Sequence, residues 1–400
     1  MDLSFTAEER AFREELRDIF HTEIPERIRG KLRHGLHASR QDQVEAQRIL
    51  NARGLAVPNW PVEWGGQDWS PVQHYIWQEE LQLACVPHPL SFNCTMVGPV
   101  IAQFGSLAQK QRFLARAANL DDWWCQGFSE PNAGSDLASL RTTARRDGDD
   151  WVIDGQKTWT TLGQYADWIF VLARTDPAAK KQEGISFLLV DLTTPGITMR
   201  PIQTIDGGRE VNEVFFDGVR VPGENLVGEV NRGWDYAKFL LGNERTGIAR
   251  IGITKARVRR IRELAEQEWD GDRRLIDDPG FRRKLASLEV ELKALEMTQL
   301  RVVAAERQLE KGKPNPMSSV LKIRGSELQQ ASTALMMDVM GPYVAPFFDE
   351  HEIEFGNEPP PGPADAATAA PQYFNMRKVS IYGGSNEIQR AILAKAVLGF

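Results

Sequence analysis

The sequence predicts a segregated α+β protein, helical at both ends with a β region between them. Apolar residues recur at helical spacing up to about residue 121. From about Trp123 the texture changes to short β-branched and aromatic runs bounded by Gly, Asp and Pro, and after Gly233 the helical period returns and stays. No long helical run separates the strands, which argues against a parallel α/β sheet.

Taken in order, Thr6 and Glu9 form a capping-box pattern, followed by Phe12, Leu16, Ile19 and Phe20 on one helical face. A second helix is expected over Asp42 to Asn51. Pro58, Pro61, Gly65 and Gly66 then break the chain. Further helices are expected over Pro71 to Leu83 and between Val97 and Ala118. The clearest strands are 151–155, 167–175, 184–191, 196–202 and 213–222, spaced as in a compact sheet or barrel. Three long helices follow: Trp234 to about Trp269, Arg282 to Lys311, and one beginning near Ser318. The stretch Glu350 to Ala370, with PPPGP at 359–363, reads as an extended exposed loop.

The chain has 400 residues, 42% hydrophobic and 26% charged, enough for two or three packed units with a large core. A net charge of −7 with no basic stripe argues against a nucleic-acid or anionic-membrane partner. No apolar run approaches the ~20 residues of a membrane span, and the first residues lack a basic start followed by an apolar stretch, so a cytoplasmic protein is expected. Cys85, Cys94 and Cys125 show no C-x-x-C pairing and read as reduced core thiols. The six histidines show no H-E-x-x-H spacing, no phosphate-loop motif is present, and no metal site is expected. Met336, Met337 and Met340 read as core.

Two patterns carry chemistry. On the helix after Gly233, Ala237, Leu240, Leu241, Ile248 and Ile251 make an apolar stripe that includes Glu244. Desolvation raises a carboxylate pKa toward neutrality, as a general base near pH 7 requires; the alternative is a boundary residue paired with an arginine. The second pattern is WCQGFSEPNAGSD at 124–136, rich in turn formers and hydroxyls, with KTWTT at 157–161 supplying an indole and hydroxyls that can fix a ring system. Taken alone, the first of these strings is also an ordinary interstrand loop.

Five strings, SEPNAGSD, KTWTT, VRVPGENLVGEVNRGW (219–234), NERTGIA (243–249) and YGGSNEIQR, occur in the order and approximate spacing of the acyl-CoA dehydrogenases, which the chain resembles over nearly its whole length. It looks most like the large subunits of pimeloyl-CoA dehydrogenase and related bacterial enzymes. The resemblance implies an N-terminal helical domain (1–121), a middle β-barrel or sheet domain (122–230) and a C-terminal four-helix bundle (231–400). It implies FAD between the β domain and the C-terminal helices, with Gln126, Phe128, Ser129, Gly134 and Ser135 along the flavin and Trp159 and Thr161 packing on it. Gly341, Ser385, Asn386 and Glu387 match positions that contact the rest of the cofactor. Ser135, Arg245 and Gly384 match substrate contacts.

Family members often carry their catalytic glutamate where this chain has Gly383; a branch similar to isovaleryl-CoA and long-chain enzymes carries it on the long helix instead. Glu244 followed by Arg245, with Gly383, fits that branch. The implied reaction is removal of the α-proton of an acyl-CoA by Glu244 with transfer of the β-hydride to flavin N5, giving a trans-2-enoyl-CoA. The Gly383 N–H would stabilise the enolate oxygen, and an electron-transfer flavoprotein would reoxidise the flavin. The chain departs from the family at 280–292 and 339–344, where strings that reach a neighbouring subunit's FAD are usual. A homo-oligomer and a heteromer with a smaller related subunit are both open, as are a non-catalytic subunit and a flavin monooxygenase on the same fold.

Overall fold

The computed structural model describes residues 4–243, 249–306 and 317–399. Six helices build the N-terminal part: α1 (Ala7–Thr22), α2 (Glu26–Arg33), α3 (Arg40–Ala52), α4 (Pro71–Leu83), α5 (Gly98–Phe104) and α6 (Leu107–Ala118). Thr6, Ser39, Ser70 and Ser106 each close a capping box at the start of a helix. Such a cap contributes about 1 kcal/mol, and it explains why these helices start where they do. Leu16, Phe20, Leu50 and Ile76 turn inward and join a core that runs on without interruption into the β domain and the later helices.

Seven strands follow: β1 (Trp124–Gly127), β2 (Thr143–Asp147), β3 (Asp150–Thr161), β4 (Trp168–Arg174), β5 (Ile185–Asp191), β6 (Ile197–Ile202) and β7 (Val211–Pro222). They form one mixed sheet in the order β1-β4-β2-β3-β7-β6, with β5 paired to β4. Strand β4 shows why both faces are covered. Trp168, Phe170 and Leu172 enter the large core with Trp124 and Phe187, while Ile169, Val171 and Ala173 enter a second core on the opposite face with Leu188 and Val190. The 151–155 run and KTWTT prove to be one long strand, β3, interrupted by register shifts.

The remaining elements are α7 (Gly233–Asn243), α8 (Ile251–Ala265), a short hairpin of β8 (Trp269–Asp270) and β9 (Arg273–Arg274), then α9 (Pro279–Glu306), α10 (Met317–Met340), α11 (Glu350–Phe355), α12 (Ala366–Asn375) and α13 (Asn386–Leu393). Helices α8, α9, α10 and α12 share the third core.

Two expectations are corrected. The single helix from Trp234 to Trp269 is instead α7 and α8, with Arg250 held at φ +46°, a left-handed value that no α-helix interior accommodates, and Trp269 lies in the hairpin. The stretch 350–370 is not a plain extended loop. Asp349 caps α11 through a box with Glu352, and α12 begins at Ala366. This segment forms a strap across the molecule. Lys31 pairs with Glu354 at 2.6 Å, His37 with Glu350, and His34 with Asp365 at 2.7 Å, while the Phe347 ring covers Gly207 of the β6–β7 loop. Loop composition concealed it because the contacts are long-range ion pairs.

Candidate active site

The site is built first on the end of β1. Phe128 is buried edge-to-face against Phe170 and Phe187, which fixes the strand end, and Gln126 lies half-buried two residues before it. The Ser129 carbonyl then accepts from the Thr158 N–H at 2.9 Å, tying the loop to β3. Glu130 and Ala133 exchange N–H···O bonds of 3.0 Å in both directions, a tight turn with Pro131 and Asn132 at its tip. Beyond it Gly134 and Ser135 are exposed.

Beneath this turn lies an ion pair that the sequence reading missed. Lys157 Nζ donates to Glu130 Oε1 at 2.7 Å and to the Phe128 carbonyl at 3.2 Å, with the lysine side chain wholly excluded from solvent. The Glu130 carboxylate also accepts the Arg141 and Thr142 N–H groups at 2.6 and 2.9 Å. Burial pushes the Lys157 ammonium down to about 8 against the pull of Glu130. For Glu130 burial acts upward, but Lys157 and the donors around it hold its carboxyl below the usual range. The signal in the sequence was a lone lysine inside a β run, which a charged edge position would have explained equally well.

Directly after Lys157 the register of β3 against β7 shifts, and Trp159 sits at φ +59° with its side chain 59% exposed. A bulky residue held in a left-handed bulge stores strain of order 1–3 kcal/mol, a feature that concentrates at functional sites. The neighbouring Thr160 hydroxyl is buried without a hydrogen-bond partner, and Thr161 is half-buried.

The other half of the site comes from the C-terminal helices. Gly383 and Gly384 adopt successive left-handed conformations, φ +65° and +79°. The Gly383 carbonyl accepts from Gln389 Nε2 at 3.1 Å, and Gln389 in turn accepts from the Ser319 hydroxyl at 2.7 Å. Ser385 caps α13. The Asn386 side chain is spent on α10, accepting from Lys322 at 2.9 Å and donating to Ser326 at 3.1 Å, so its backbone is what it offers a ligand. Glu387 is exposed, its carboxyl held below the usual range by the backbone N–H and the Ser385 hydroxyl at the helix start.

A polar junction ties these halves together. The Glu210 carbonyl accepts from the Leu162 N–H at 2.6 Å, while its carboxylate pairs with Lys378 and accepts from Asn375 at 3.0 Å. Asn375 also donates to Asp206 at 2.6 Å. The segment leading to Gly383 is thereby fastened beside Thr161 and Leu162. Gly341 is elsewhere: it lies at the exposed end of α10, roughly 23 Å along the helix from the Ser326–Asn386 contact. Glu244 and Arg245 lie outside the described residues.

Near Ser135 a pocket of about 460 Å³ is lined by Arg141, Arg174 and Lys181. Arg174 donates to the carbonyls of Ala138 and Lys181, and Lys181 pairs with Asp136 at 3.2 Å, so the loop carrying Ser135 is stitched to the strand β4 end. Among the described residues no cluster of His, Cys, Asp or Glu could hold a metal ion, and no helix is long and apolar enough to cross a membrane.

Helices, a mixed sheet and a helical bundle with a site at their junction define an acyl-CoA dehydrogenase fold, and the family comparison agrees. Residues 6–121, 125–219 and 231–398 match the N-terminal, middle and C-terminal domain models of acyl-CoA dehydrogenase. The chain belongs to the acyl-CoA dehydrogenase family. It is 37% identical to acyl-CoA dehydrogenase IpdE1 of Mycobacterium tuberculosis, over 91% of this chain and 89% of that protein. It is similar in structure to a chain of the ChsE4-ChsE5 complex from Mycobacterium tuberculosis, with a TM-score of 0.83 and 32% identity over 100% of this chain and 99% of the other. A steroid ACAD described as Tcur3481-Tcur3483 gives the same TM-score at 30% identity, covering 100% of this chain and 99% of that one.

Members of this family are FAD-dependent flavoproteins. The residues here fit that group: an exposed indole held in a strained bulge, the half-buried Thr161 close by, and a Cβ-free turn fastened beside them.

Proposed function

We propose that this chain oxidises an acyl-CoA thioester to a trans-2-enoyl-CoA, with Glu244 as the α-proton base. The observation that carries the reading is the Gly383–Gly384 turn, fixed by Gln389 and fastened beside Thr161 through Glu210 and Lys378. A turn of two left-handed glycines presents backbone N–H groups without side-chain obstruction, which suits the oxygen of an enolising thioester. No carboxylate is available at Gly383, and Glu244 is the one that the sequence offers in its place.

FAD, when bound, supplies the acceptor for the two electrons and the second hydrogen leaving the β-carbon. Gln126, Phe128, Ser129, Gly134, Ser135, Trp159 and Thr161 would hold its ring, and Ser385, Asn386 and Glu387 its dinucleotide portion, with Gly341 serving the cofactor of a neighbouring subunit. Glu244 takes the α-proton onto its carboxylate. Gly383 holds the thioester oxygen, and Phe128 with its buried neighbours excludes water. Ser135, Arg245 and Gly384 would position the substrate, and the cationic pocket of Arg141 and Lys181 suits the phosphates of CoA. An electron-transfer flavoprotein is the proposed reoxidant.

The test is anaerobic: flavin absorbance of the purified chain and of Glu244→Gln is followed as acyl-CoAs are added. Bleaching in the first and none in the second is expected; bleaching in both removes Glu244 from its role.

A second reading, a subunit that completes its cofactor site only with a smaller related partner, draws on the unusual 280–292 and 339–344 segments and on the complex formed by the ChsE4-ChsE5 relative. It predicts weak flavin retention by the chain alone and recovery on co-expression with the partner.

A further inference from the structure

Glu210, the residue before β7, uses its main chain and its side chain in opposite directions. Its carbonyl accepts from the Leu162 N–H at 2.6 Å, just past the end of β3, where Thr161 lies opposite Val211. Its carboxylate pairs with Lys378 and accepts from Asn375 Nδ2 at 3.0 Å. A single residue thus touches both the strand end that would hold the flavin and the segment that leads to Gly383.

The Lys378 end is equally direct. The Lys378 carbonyl accepts the N–H groups of Ile381 and Tyr382 at 2.8 and 3.2 Å, so the place of this lysine is passed on to the two residues before Gly383. On its other flank the segment is held to α10: Arg377 donates to the Gln330 carbonyl at 3.0 Å and to the Thr333 hydroxyl at 3.1 Å, and Gln330 Nε2 donates to the Met376 and Arg377 carbonyls at 3.2 Å. Those bonds fix the segment to the bundle and leave its distance from the sheet unset. Glu210 sets that distance, with Asp206, which accepts from Asn375 at 2.6 Å, beside it. The loop carrying both carboxylates is itself firm. The Thr204 N–H donates to the Gly208 carbonyl at 3.0 Å, and the Phe347 ring covers Gly207.

We infer that Glu210 is a positioning residue for the proposed oxidation: through Lys378 it fixes how far the Gly383 N–H stands from the strand end at Thr161, and so how the thioester oxygen is registered against the flavin. The inference deepens the dehydrogenase reading and rests on it. Neither Glu210 nor Lys378 is a group that flavin or thioester is proposed to touch, so the effect falls on the chemical step rather than on binding. A misplacement of about 1 Å in a positioned group is enough to cost roughly a hundredfold in rate. The two side chains keep 25% and 35% of their exposure, so the pair adds less stability than a buried one and its removal should leave the fold standing.

The test uses the FAD-loaded holoenzyme and two probes. One is an oxidisable acyl-CoA, followed by anaerobic flavin bleaching. The other is its 3-thia analogue, which can lose the α-proton but has no β-hydrogen to pass on. The anion of the analogue against oxidised flavin gives a long-wavelength charge-transfer band, and the pH at which this band appears measures how well the oxygen is stabilised. In Glu210→Gln the saturated bleaching rate is expected to fall roughly ten- to hundredfold, with half-saturation changed less than about threefold, and the band to appear about one to two pH units higher. Glu210→Asp, which keeps the charge but draws it back, should show the same shifts to a smaller extent. Lys378→Arg should recover most of the rate that Lys378→Met loses. Glu210→Gln combined with Lys378→Met strands no charge and should regain stability without regaining rate, which separates positioning from folding. An unchanged rate and band in Glu210→Gln, or a double variant as fast as the unsubstituted enzyme, would overturn the inference. The dehydrogenase reading fails separately: it falls, and the inference with it, if the unsubstituted holoenzyme bleaches with no thioester, whereas fast bleaching in every variant removes only Glu210 from its role.

Discussion

The Lys157 ammonium and the Glu130 carboxylate meet at 2.7 Å beneath the loop that carries Ser129 and Ser135, with almost no solvent at either group. The charge pair thus holds the loop to β3 together with the loop's own turn bonds. Removing one partner of a buried pair costs about 3–5 kcal/mol, because the other charge is stranded. Lys157→Met is expected to lower the denaturation midpoint and to lose flavin. The double change with Glu130→Gln should recover most of the stability, as a double-mutant cycle in urea would reveal. Single and double variants of equal stability would mean the pair does not hold the loop.

Trp159 separates cofactor binding from folding. Its side chain is 59% exposed and carries little of the core, so Trp159→Ala should change stability by no more than about 0.5 kcal/mol. Flavin content after gel filtration should nevertheless fall severalfold. Full retention of flavin would remove the indole from the site.

Gly384 tests the glycine turn. It lies at φ +79°, and a Cβ there would sit 2.7 Å from Gln389 Nε2, the group that bonds the Gly383 carbonyl. Gly384→Ala is expected to add about 1–2 kcal/mol of local backbone strain and to dislodge that amide. The rate of flavin bleaching should drop while the midpoint of unfolding shifts only modestly. An unchanged rate would show that turn geometry is irrelevant to turnover.

The strap responds to alkali. The bond to Glu350 raises the His37 pKa above its ordinary value. A raised value means that the contact is fully present below about pH 6.5 and is lost as pH rises through the folded-state pKa. His37 is largely exposed, so the effect should be small and local. Hydrogen exchange is expected to quicken over residues 349–356 on the alkaline side, and His37→Gln to abolish the pH dependence.

Lys322 has the opposite sign. It is 2% exposed with one neutral oxygen, that of Asn386, as its acceptor, and burial pushes its ammonium down to about 8. The unfolded chain keeps this proton up to about pH 10.4, so the lysine's cost to stability grows as pH falls from there through 8. Lys322→Met should gain of order 1–3 kcal/mol at neutral pH and flatten the alkaline stability profile. A variant less stable at every pH would show that the lysine stabilises as a charge.

The order of helix, sheet and helix was legible because it rests on local periodicity, and Thr6 with Glu9 forms the capping box that their spacing predicts. The motif strings were legible as strings. What they do was not: KTWTT read as a source of an indole and hydroxyls, yet its lysine is the buried anchor and its tryptophan stands in a bulge, both set by the partner strand. Likewise NEIQR marked Asn386 as a candidate cofactor contact without any sign that its side chain accepts from Lys322, more than sixty residues earlier. Long-range charge pairs leave no periodic trace. The break before α8 was hidden for a related reason, since an arginine carries no signature of a left-handed backbone.

The strap also changes how the molecule comes apart. Its contacts reach α2 and the α2–α3 linker through Lys31, His34 and His37, the β6–β7 loop through Phe347, and α8 through Arg260 to Asp365 at 2.8 Å. Chain segments more than three hundred residues apart are latched together, over a core already shared by all three domains. The strap therefore couples the three domains, and heat is expected to melt them together, which a calorimetric scan showing one peak would reveal and separate peaks would contradict.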